Sequence, residues 1–244
     1  PRGFPEDAPM STSTSPSTST SPSSETRRAD LLSLGPRATA TRDRLLAGGA
    51  IMCIRQDSLE AARAGAIAAA AGGLKTLEIT LTTPGAIDLI AELSPREDLL
   101  VGAGTVLDAR DLARVADAGA AFALSPVLDP GMLAAAIERD VLAIPGAATP
   151  TEILIAWRVG APMVKFFPAG PLGGPAALRA IRGPLPHIPI VPTSGPTAET
   201  MPEWFAAGAV AVGVGGEVLG PGWTEASAID AARRVRAAVD AARG

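Results

Sequence analysis

Residues 99–126, LLVGAGTVLDARDLARVADAGAAFALSP, contain one complete structural unit of this 244-residue chain. An apolar run at 99–105 predicts a buried strand, because strands that are covered on both faces are apolar along their whole length. Asp108 is a favourable N-cap and Gly119 a typical helix stop, so the residues between them predict a helix. A second apolar run at 121–126 predicts the next strand. The stretch therefore predicts a strand–helix–strand unit with parallel strands.

The same alternation runs along the chain from about residue 38, with short apolar runs separated by alanine-rich segments of helical spacing. Eight such units favour an α/β fold of the (β/α)8 TIM-barrel type, which typically needs about 250 residues. A doubly wound open sheet is the alternative, but no Gly-x-Gly-x-x-Gly turn follows the first strand. The predicted strands are 50–55, 76–82, 99–105, 121–126, 142–147, 163–168, 189–194 and 209–214, and the predicted helices include 58–71, 108–118, 129–139, 149–160, 197–207 and 224–242.

The beginning of the chain has a different composition from the rest. A Ser/Thr/Pro tract between Ser11 and Ser24 has no hydrophobic periodicity. Such a segment buries too little apolar surface to offset its ordering entropy. We therefore predict a disordered tail over residues 1–37 and one barrel domain with an N-terminal helix over residues 38–244.

Composition excludes several classes of function. A net charge of −4, 3% aromatic residues and no tyrosine argue against a nucleic-acid partner. No apolar run reaches the ~18 residues that a membrane span requires, and no signal-peptide core is present, so we expect a cytoplasmic protein. The single cysteine, Cys53, is interpreted as core packing, and the single histidine, His187, lies in a connector. A zinc site of the usual nitrogen and sulfur ligands is therefore not expected.

Lys165 is one of only two lysines, and it lies in the apolar stretch MVKFFP at 163–168. Burial disfavours the charged form of an amine, and a neutral amine can form a Schiff base with a carbonyl substrate. The plainer alternative is a lysine whose head reaches solvent at a strand end. Glu78 lies inside another predicted strand, where a carboxylate is either ion-paired or active as a general acid/base.

Other unusual residues fall at the predicted carboxyl ends of strands, where barrel enzymes place their sites. Arg55 ends the first strand and can hold a substrate carboxylate. Thr105 follows a glycine-rich turn and can donate its hydroxyl to the same group. The segments Thr193–Gly195 and Gly213–Gly216 follow the seventh and eighth strands, where barrels commonly bind phosphate through backbone amides.

Several of these stretches, in order, resemble the motifs of a known enzyme family. The family is that of the 2-keto-3-deoxy-6-phosphogluconate (KDPG) and 4-hydroxy-2-oxoglutarate (KHG) aldolases, and the resemblance covers roughly residues 38–220. The matching stretches are LEITLTTP (77–84), GAGTVL (102–107), FALSP (122–126), IPG (144–146), VKFFPA (164–169), PTSG (192–195) and GVGG (213–216).

The resemblance implies a homotrimeric class I aldolase that needs no metal or other cofactor. Its substrate would be a small 2-keto-4-hydroxy acid, which is cleaved to pyruvate and an aldehyde. That aldehyde is glyceraldehyde 3-phosphate from KDPG and glyoxylate from KHG. The implied roles are Schiff-base formation for Lys165, general acid/base catalysis for Glu78, carboxylate binding for Arg55 and Thr105, pocket walls for Pro126 and Phe167, and further substrate binding for Thr193, Ser194, Gly195, Gly215 and Gly216.

Four positions depart from the family pattern. Some members carry an arginine at the position of Thr82, and Arg55 can bind the substrate carboxylate in place of that arginine. Ser194 and Pro196 alter the turn that binds phosphate, and proline lacks an amide hydrogen. Glu217 adds a negative charge that would repel phosphate if it faces the pocket.

The sequence leaves other readings open. The substrate could be the galactonate epimer or an unphosphorylated 2-keto-3-deoxy acid. A barrel that binds phosphorylated metabolites without turnover is a second class. A phosphate-binding barrel isomerase or synthase is a third, and it leaves the burial of Lys165 unexplained.

Overall fold

The computed structural model of the chain describes residues 34–244, so most of the predicted tail, residues 1–33, lies outside the described residues. In the described part, short strands alternate with helices, as predicted. The strands are β1 (Ala50–Ile54), β2 (Thr76–Thr80), β3 (Leu100–Gly104), β4 (Phe122–Leu124), β5 (Leu142–Ile144), β6 (Gly146–Ala147), β7 (Val164–Phe166), β8 (Ile190–Pro192) and β9 (Val212–Val214). The helices are α1 (Pro36–Gly48), α2 (Leu59–Ala71), α3 (Ala86–Leu93), α4 (Ala109–Asp117), α5 (Pro130–Glu138), α6 (Pro150–Arg158), α7 (Gly174–Arg182), α8 (Met201–Ala206) and α9 (Glu225–Arg243).

The strands form a curled parallel sheet in two hydrogen-bonded sections. One section has six strands in the order β5-β4-β3-β2-β1-β9, and the other has three in the order β6-β7-β8. Every strand pair is parallel. An isolated parallel bridge joins Thr193, just after β8, to Gly213 in β9. The predicted α/β class with parallel strands is confirmed.

The predicted strand 142–147 is divided into β5 and β6 by Pro145. Proline has no backbone N–H to donate to a neighbouring strand, so the ladder is interrupted there. Its carbonyl still accepts a hydrogen bond of 2.8 Å from the backbone N–H of Lys165. This break in the ladder lies directly beside the strand that carries the lysine.

Local signals set the helix boundaries. Ser58, Asp108 and Thr149 each accept a hydrogen bond from the backbone N–H three residues later, so all three are N-caps. Gly119 and Gly208 follow α4 and α8 in the left-handed region, with φ of 95° and 94°. A residue without Cβ adopts this conformation at little cost, so Gly119 ends its helix as predicted and Gly208 ends α8 in the same way.

Helix α1 closes the amino-terminal end of the sheet. Ala38 and Leu45 on α1 pack into a buried cluster with first residues of the strands, such as Phe122 and Leu142. The carboxylate of Asp140 accepts hydrogen bonds of 2.9 Å from the first backbone N–H groups of the helix. The opposite, carboxyl-terminal end of the strands is therefore the end that remains available for a site.

Within residues 34–244, none of the helices combines the length and the apolar character that crossing a bilayer demands.

Candidate functional site

A cavity of about 550 Å³ lies at the carboxyl-terminal ends of the strands. All of the predicted site residues except Glu78 line it, and Glu78 lies next to Lys165. Residues far apart in sequence are thus brought to one place, as the parallel strand order requires. The lining residues are Cys53, Arg55, Thr105, Pro126, Lys165, Phe167, Thr193, Ser194, Gly195, Pro196, Thr197, Gly213, Val214, Gly215, Gly216 and Glu217.

Two parts of the cavity differ in construction. The lysine side consists of Arg55, Glu78, Thr105 and Lys165, which lie on or directly after β1, β2, β3 and β7. The loop side consists of residues 193–197 and 213–217, at and beyond the ends of β8 and β9.

Lys165 and Glu78 form a buried ion pair. Lys165 lies in the middle of β7 and Glu78 in the middle of β2, and they are 5% and 1% exposed. The Nζ of Lys165 is 3.5 Å from Oε1 of Glu78, and the other carboxylate oxygen, Oε2, is buried without a hydrogen-bond partner. Burying such a pair costs desolvation energy that its own attraction repays only in part. An incompletely satisfied pair of this kind in a cavity is typical of a functional site.

Neighbouring residues fix the positions of both groups. The Nζ of Lys165 lies 5.2 Å from the ring centre of Phe167. A Cβ on Gly104 would overlap Oε1 of Glu78 and would lie 2.7 Å from its Cγ and Cδ. Gly104 is therefore required because the glutamate side chain occupies the space beside β3.

The guanidinium of Arg55 is directed towards the ends of β2 and β3. Its Nη1 donates to Oγ1 of Thr82, and its Nη2 donates to Oγ1 of Thr105 over 3.2 Å. Thr105 has φ of 60°, an uncommon and strained conformation for a β-branched residue. Arg55 thus contacts Thr82, and its role in carboxylate binding stays a prediction.

On the loop side, a buried hydroxyl lacks a partner. Thr193 is 7% exposed and lines the cavity, and its Oγ1 makes no hydrogen bond within the described part of the chain. A buried hydroxyl without a partner is costly, and a ligand group can remove that cost. Ser194 and Gly195 follow with φ of 66° and 146°. The first is a strained conformation for a residue with a Cβ, and the second is one that glycine adopts readily.

Cys53 corrects the sequence-based interpretation, because it is only partly buried and lines the cavity. It lies two residues before Arg55, on the same face of β1, and it is in register with Glu78. Burial first, and the negative charge of Glu78 second, raise the pKa of the Cys53 thiol to about 12. The thiol is therefore protonated at neutral pH. The two-residue spacing to Arg55 was the signal that could have placed it in the site.

The sequence left open whether Glu217 faces the pocket, and the structure answers this question. Glu217 lines the cavity, and its Oε2 accepts a hydrogen bond of 2.9 Å from the backbone N–H of Ala198. The carboxylate is therefore held on the loop side. Among residues 34–244, no cluster of three or more His, Cys, Asp or Glu side chains has the arrangement of a metal site.

Known proteins are similar to this chain in sequence and in fold. The chain is 44% identical over 140 residues to the 2-dehydro-3-deoxy-phosphogluconate aldolase of Pseudomonas aeruginosa, a match that covers 57% of this chain and 64% of that protein. It is 38% identical over 184 residues to the KHG/KDPG aldolase of Escherichia coli K12, covering 75% of this chain and 86% of that protein.

Solved structures agree with these relatives. The 2-keto-3-deoxy-6-phosphogluconate aldolase of Zymomonas mobilis superimposes with a TM-score of 0.73 at 28% identity, over 80% of this chain and 96% of that one. The KDPG aldolase of Legionella pneumophila, with pyruvate captured at low pH as a covalent carbinolamine intermediate, gives a TM-score of 0.69 at 31% identity, over 85% and 98% of the two chains. A family model described as KDPG and KHG aldolase matches residues 42–235, and the chain therefore belongs to the KDPG and KHG aldolase family.

Proposed function

We propose that the chain is a class I aldolase that cleaves a 2-keto-4-hydroxy acid through a Schiff base on Lys165. The substrates named for its relatives give the two candidate reactions. KDPG would yield pyruvate and glyceraldehyde 3-phosphate, and KHG would yield pyruvate and glyoxylate. The single observation that carries the proposal is the buried pair of Lys165 and Glu78, 3.5 Å apart beside a cavity.

The proposed reaction begins when Lys165 passes a proton to Glu78 and its neutral Nζ attacks the C2 carbonyl carbon of the substrate. Glu78 donates and accepts the protons that convert the carbinolamine into an iminium ion with loss of water. Glu78 then removes the proton of the C4 hydroxyl, and the C3–C4 bond breaks. Its electron pair moves into the iminium, so that the aldehyde leaves and an enamine of pyruvate remains. Protonation of C3 and hydrolysis release pyruvate and restore the free amine.

The other residues on the lysine side are proposed to orient the keto acid. Arg55 and Thr105 hold its carboxylate, since a guanidinium and a hydroxyl point into the same part of the cavity. Pro126 and Phe167 form the apolar walls around the methylene group. On the loop side, Thr193, Ser194, Gly195, Gly215 and Gly216 surround the aldehyde half. No metal or organic cofactor takes part in this scheme.

Borohydride reduction in the presence of pyruvate tests the proposal directly. We expect a stable covalent adduct on the peptide that contains Lys165, detected as a mass increase. The chain offers a matched control, because its only other lysine, Lys75, is exposed and paired with Asp98. The adduct should persist in Lys75→Arg and disappear in Lys165→Arg. Absence of the adduct from the folded wild-type protein would contradict the proposed function.

We further propose that the strands close into one eight-stranded barrel. Two observations support closure: β5 and β6 are separated only by Pro145, and the bridge between Thr193 and Gly213 links the ends of the two sections.

We also propose that three copies assemble, as the family resemblance implies. The exposed apolar side chains of Leu107 and Val127, both in loops at the carboxyl ends of strands, are consistent with a covered surface there. Sedimentation equilibrium is expected to give three times the mass of one chain.

A further inference from the structure

On the loop side of the cavity, the amides of Gly195, Gly215 and Gly216 donate to no other described residue, but the segment that follows them after β8, residues 196–198, has no free amide. Pro196 has no backbone N–H to donate. The N–H of Thr197 donates to Oγ1 of Thr200 over 3.0 Å, and the N–H of Ala198 donates to Oε2 of Glu217 over 2.9 Å. Phosphate-binding loops rely on successive free amides. The three consecutive residues 196–198 therefore have no backbone N–H free to bind an anion.

The charges of the residues that line the cavity also disfavour phosphate on the loop side. Among the described residues that line it, the cations are Arg55 and Lys165, and both are engaged on the lysine side. The only charged residue on the loop side is Glu217, which has no ion-pair partner in the described part of the chain. A phosphate monoester carries a charge of about −1.5 to −2 at neutral pH. On this side it would meet a carboxylate and no compensating cation.

The same carboxylate is well suited to a neutral hydroxyl. One oxygen of Glu217 is fixed by Ala198, while Oε1 makes no hydrogen bond to another described residue. An ionised carboxylate only accepts hydrogen bonds, and hydroxyl groups donate them. The unpartnered Oγ1 of Thr193 lines the same cavity and can bind a second hydroxyl. A chain of hydroxylated carbons would satisfy both groups.

We propose that Glu217 makes this aldolase selective for an unphosphorylated 2-keto-3-deoxy sugar acid over the corresponding 6-phosphate. The inference rests on the proposed Schiff-base function and adds the class of substrate to it. Glu217 accepts a hydrogen bond from a distal hydroxyl of the substrate, and it excludes a phosphate ester from the same place by charge repulsion and by occupying the amide of Ala198.

The test compares three substrates in wild-type protein and in Glu217→Gln, which keeps the shape of the side chain and an oxygen for the amide of Ala198. The substrates are KDPG, its unphosphorylated analogue and KHG, which has no sixth carbon. Wild type should prefer the unphosphorylated analogue in kcat/KM by at least about tenfold, the scale of one uncompensated charge contact. Glu217→Gln should reduce that preference at least about tenfold, and pyruvate release from KHG checks that the variant is folded and active.

Glu199→Gln is the matched control, because it removes the same charge from an exposed residue near the loop side that does not line the cavity. It should leave the preference unchanged. Glu217→Ser provides a second variant in case Glu217→Gln folds poorly. A wild-type preference for KDPG, or a preference that neither Glu217 variant alters, would overturn the inference.

A binding measurement separates this inference from the proposed function. Calorimetric titration with inorganic phosphate needs no turnover, and it should detect binding to Glu217→Gln but at least about tenfold weaker binding to wild type. Equal affinity in both proteins would overturn the inference even if Lys165 forms its adduct. Loss of the pyruvate adduct together with a difference in phosphate affinity would contradict the catalytic proposal and leave the charge selectivity supported.

Discussion

The lysine side and the loop side of the cavity differ in the backbone that holds their residues: strands on the lysine side and loops on the loop side. On the lysine side, Lys165 and Glu78 lie within buried strands and contact each other. On the loop side, Ser194 and Gly195 are exposed and have positive φ, and Glu217 is tied by one backbone amide. Parallel strands give fixed relative positions, whereas loops tolerate substitution. We therefore predict that the residues held by strands determine the reaction and that the loops determine which substrate is used.

The largest expected effect comes from removing the amine on the lysine side. Lys165→Arg keeps the positive charge and Lys165→Met keeps the volume, but neither can form an imine. Cleavage of KHG, followed through pyruvate release, should fall by at least about four orders of magnitude in both, as in other enzymes that lose their nucleophile. Lys75→Arg should retain activity. Substantial turnover by Lys165→Met would break the assignment of chemistry to this side.

The second largest loss of activity is expected from removing the carboxylate of Glu78. Glu78→Gln preserves the shape of the side chain but cannot transfer protons, so kcat should fall by about 10²–10⁴, the usual contribution of a general acid/base. Steady-state kinetics with KHG measures the change, and circular dichroism checks the fold. If kcat of the variant stayed within a factor of a few of the wild-type value, Glu78 would be a structural partner of Lys165 and not a general acid/base.

A substitution in β3 tests the position of Glu78 without changing its chemistry. The Cβ of Gly104→Ala would overlap the carboxylate, so the side chain must shift. Misplacement of a catalytic group by about 1 Å can cost on the order of 100-fold, and we expect a loss of about ten- to 100-fold in kcat. Gly183→Ala is the control, because Gly183 has φ of −50° and the nearest atom to an added Cβ is 3.4 Å away. Equal kinetics in the two variants would contradict this prediction.

On the loop side, Thr193→Val removes a hydroxyl at nearly constant volume. We expect kcat/KM for the sugar-acid substrates to fall about fivefold, since one hydrogen bond to substrate contributes about 1 kcal/mol. The melting temperature should be unchanged or higher, because the hydroxyl is buried without a partner in the free protein. A lower melting temperature with unchanged kinetics would assign Thr193 a structural role.

Cys53 should give the smallest effect on activity. Its pKa of about 12 keeps the thiol protonated and resistant to iodoacetamide at pH 7–8, and Cys53→Ala should keep turnover within about threefold. Since the pKa is higher in the folded state than the ordinary value of 9.0, the unfolded chain loses this proton first as pH rises. The stability of wild type should therefore fall between about pH 9 and 12 more than that of Cys53→Ala, as urea titrations would measure. Rapid alkylation of the folded protein at pH 7 would contradict the prediction.

Much of the fold was predictable because its signals are local. The caps Ser58, Asp108 and Thr149 bond to amides three residues away, and Gly119 needs only its own φ. The break at Pro145 was not anticipated, although proline itself gave the reason. Most of the site residues were found because unusual residues collect where strands end, whereas Lys165 and Glu78 were found because a charged residue inside an apolar strand is uncommon. The roles of all of them remain predictions.

The sequence by itself determined the order of strands and helices, the rarity of lysine and the run of motifs that identifies the family. Only the tertiary structure decided that Cys53 lines the cavity, that Arg55 turns towards Thr82 and Thr105, and that Glu217 is held by Ala198. The reason is physical. Periodicity and capping depend on neighbours within a few residues, whereas these contacts join segments 19 to 50 residues apart, whose meeting depends on how the sheet curls.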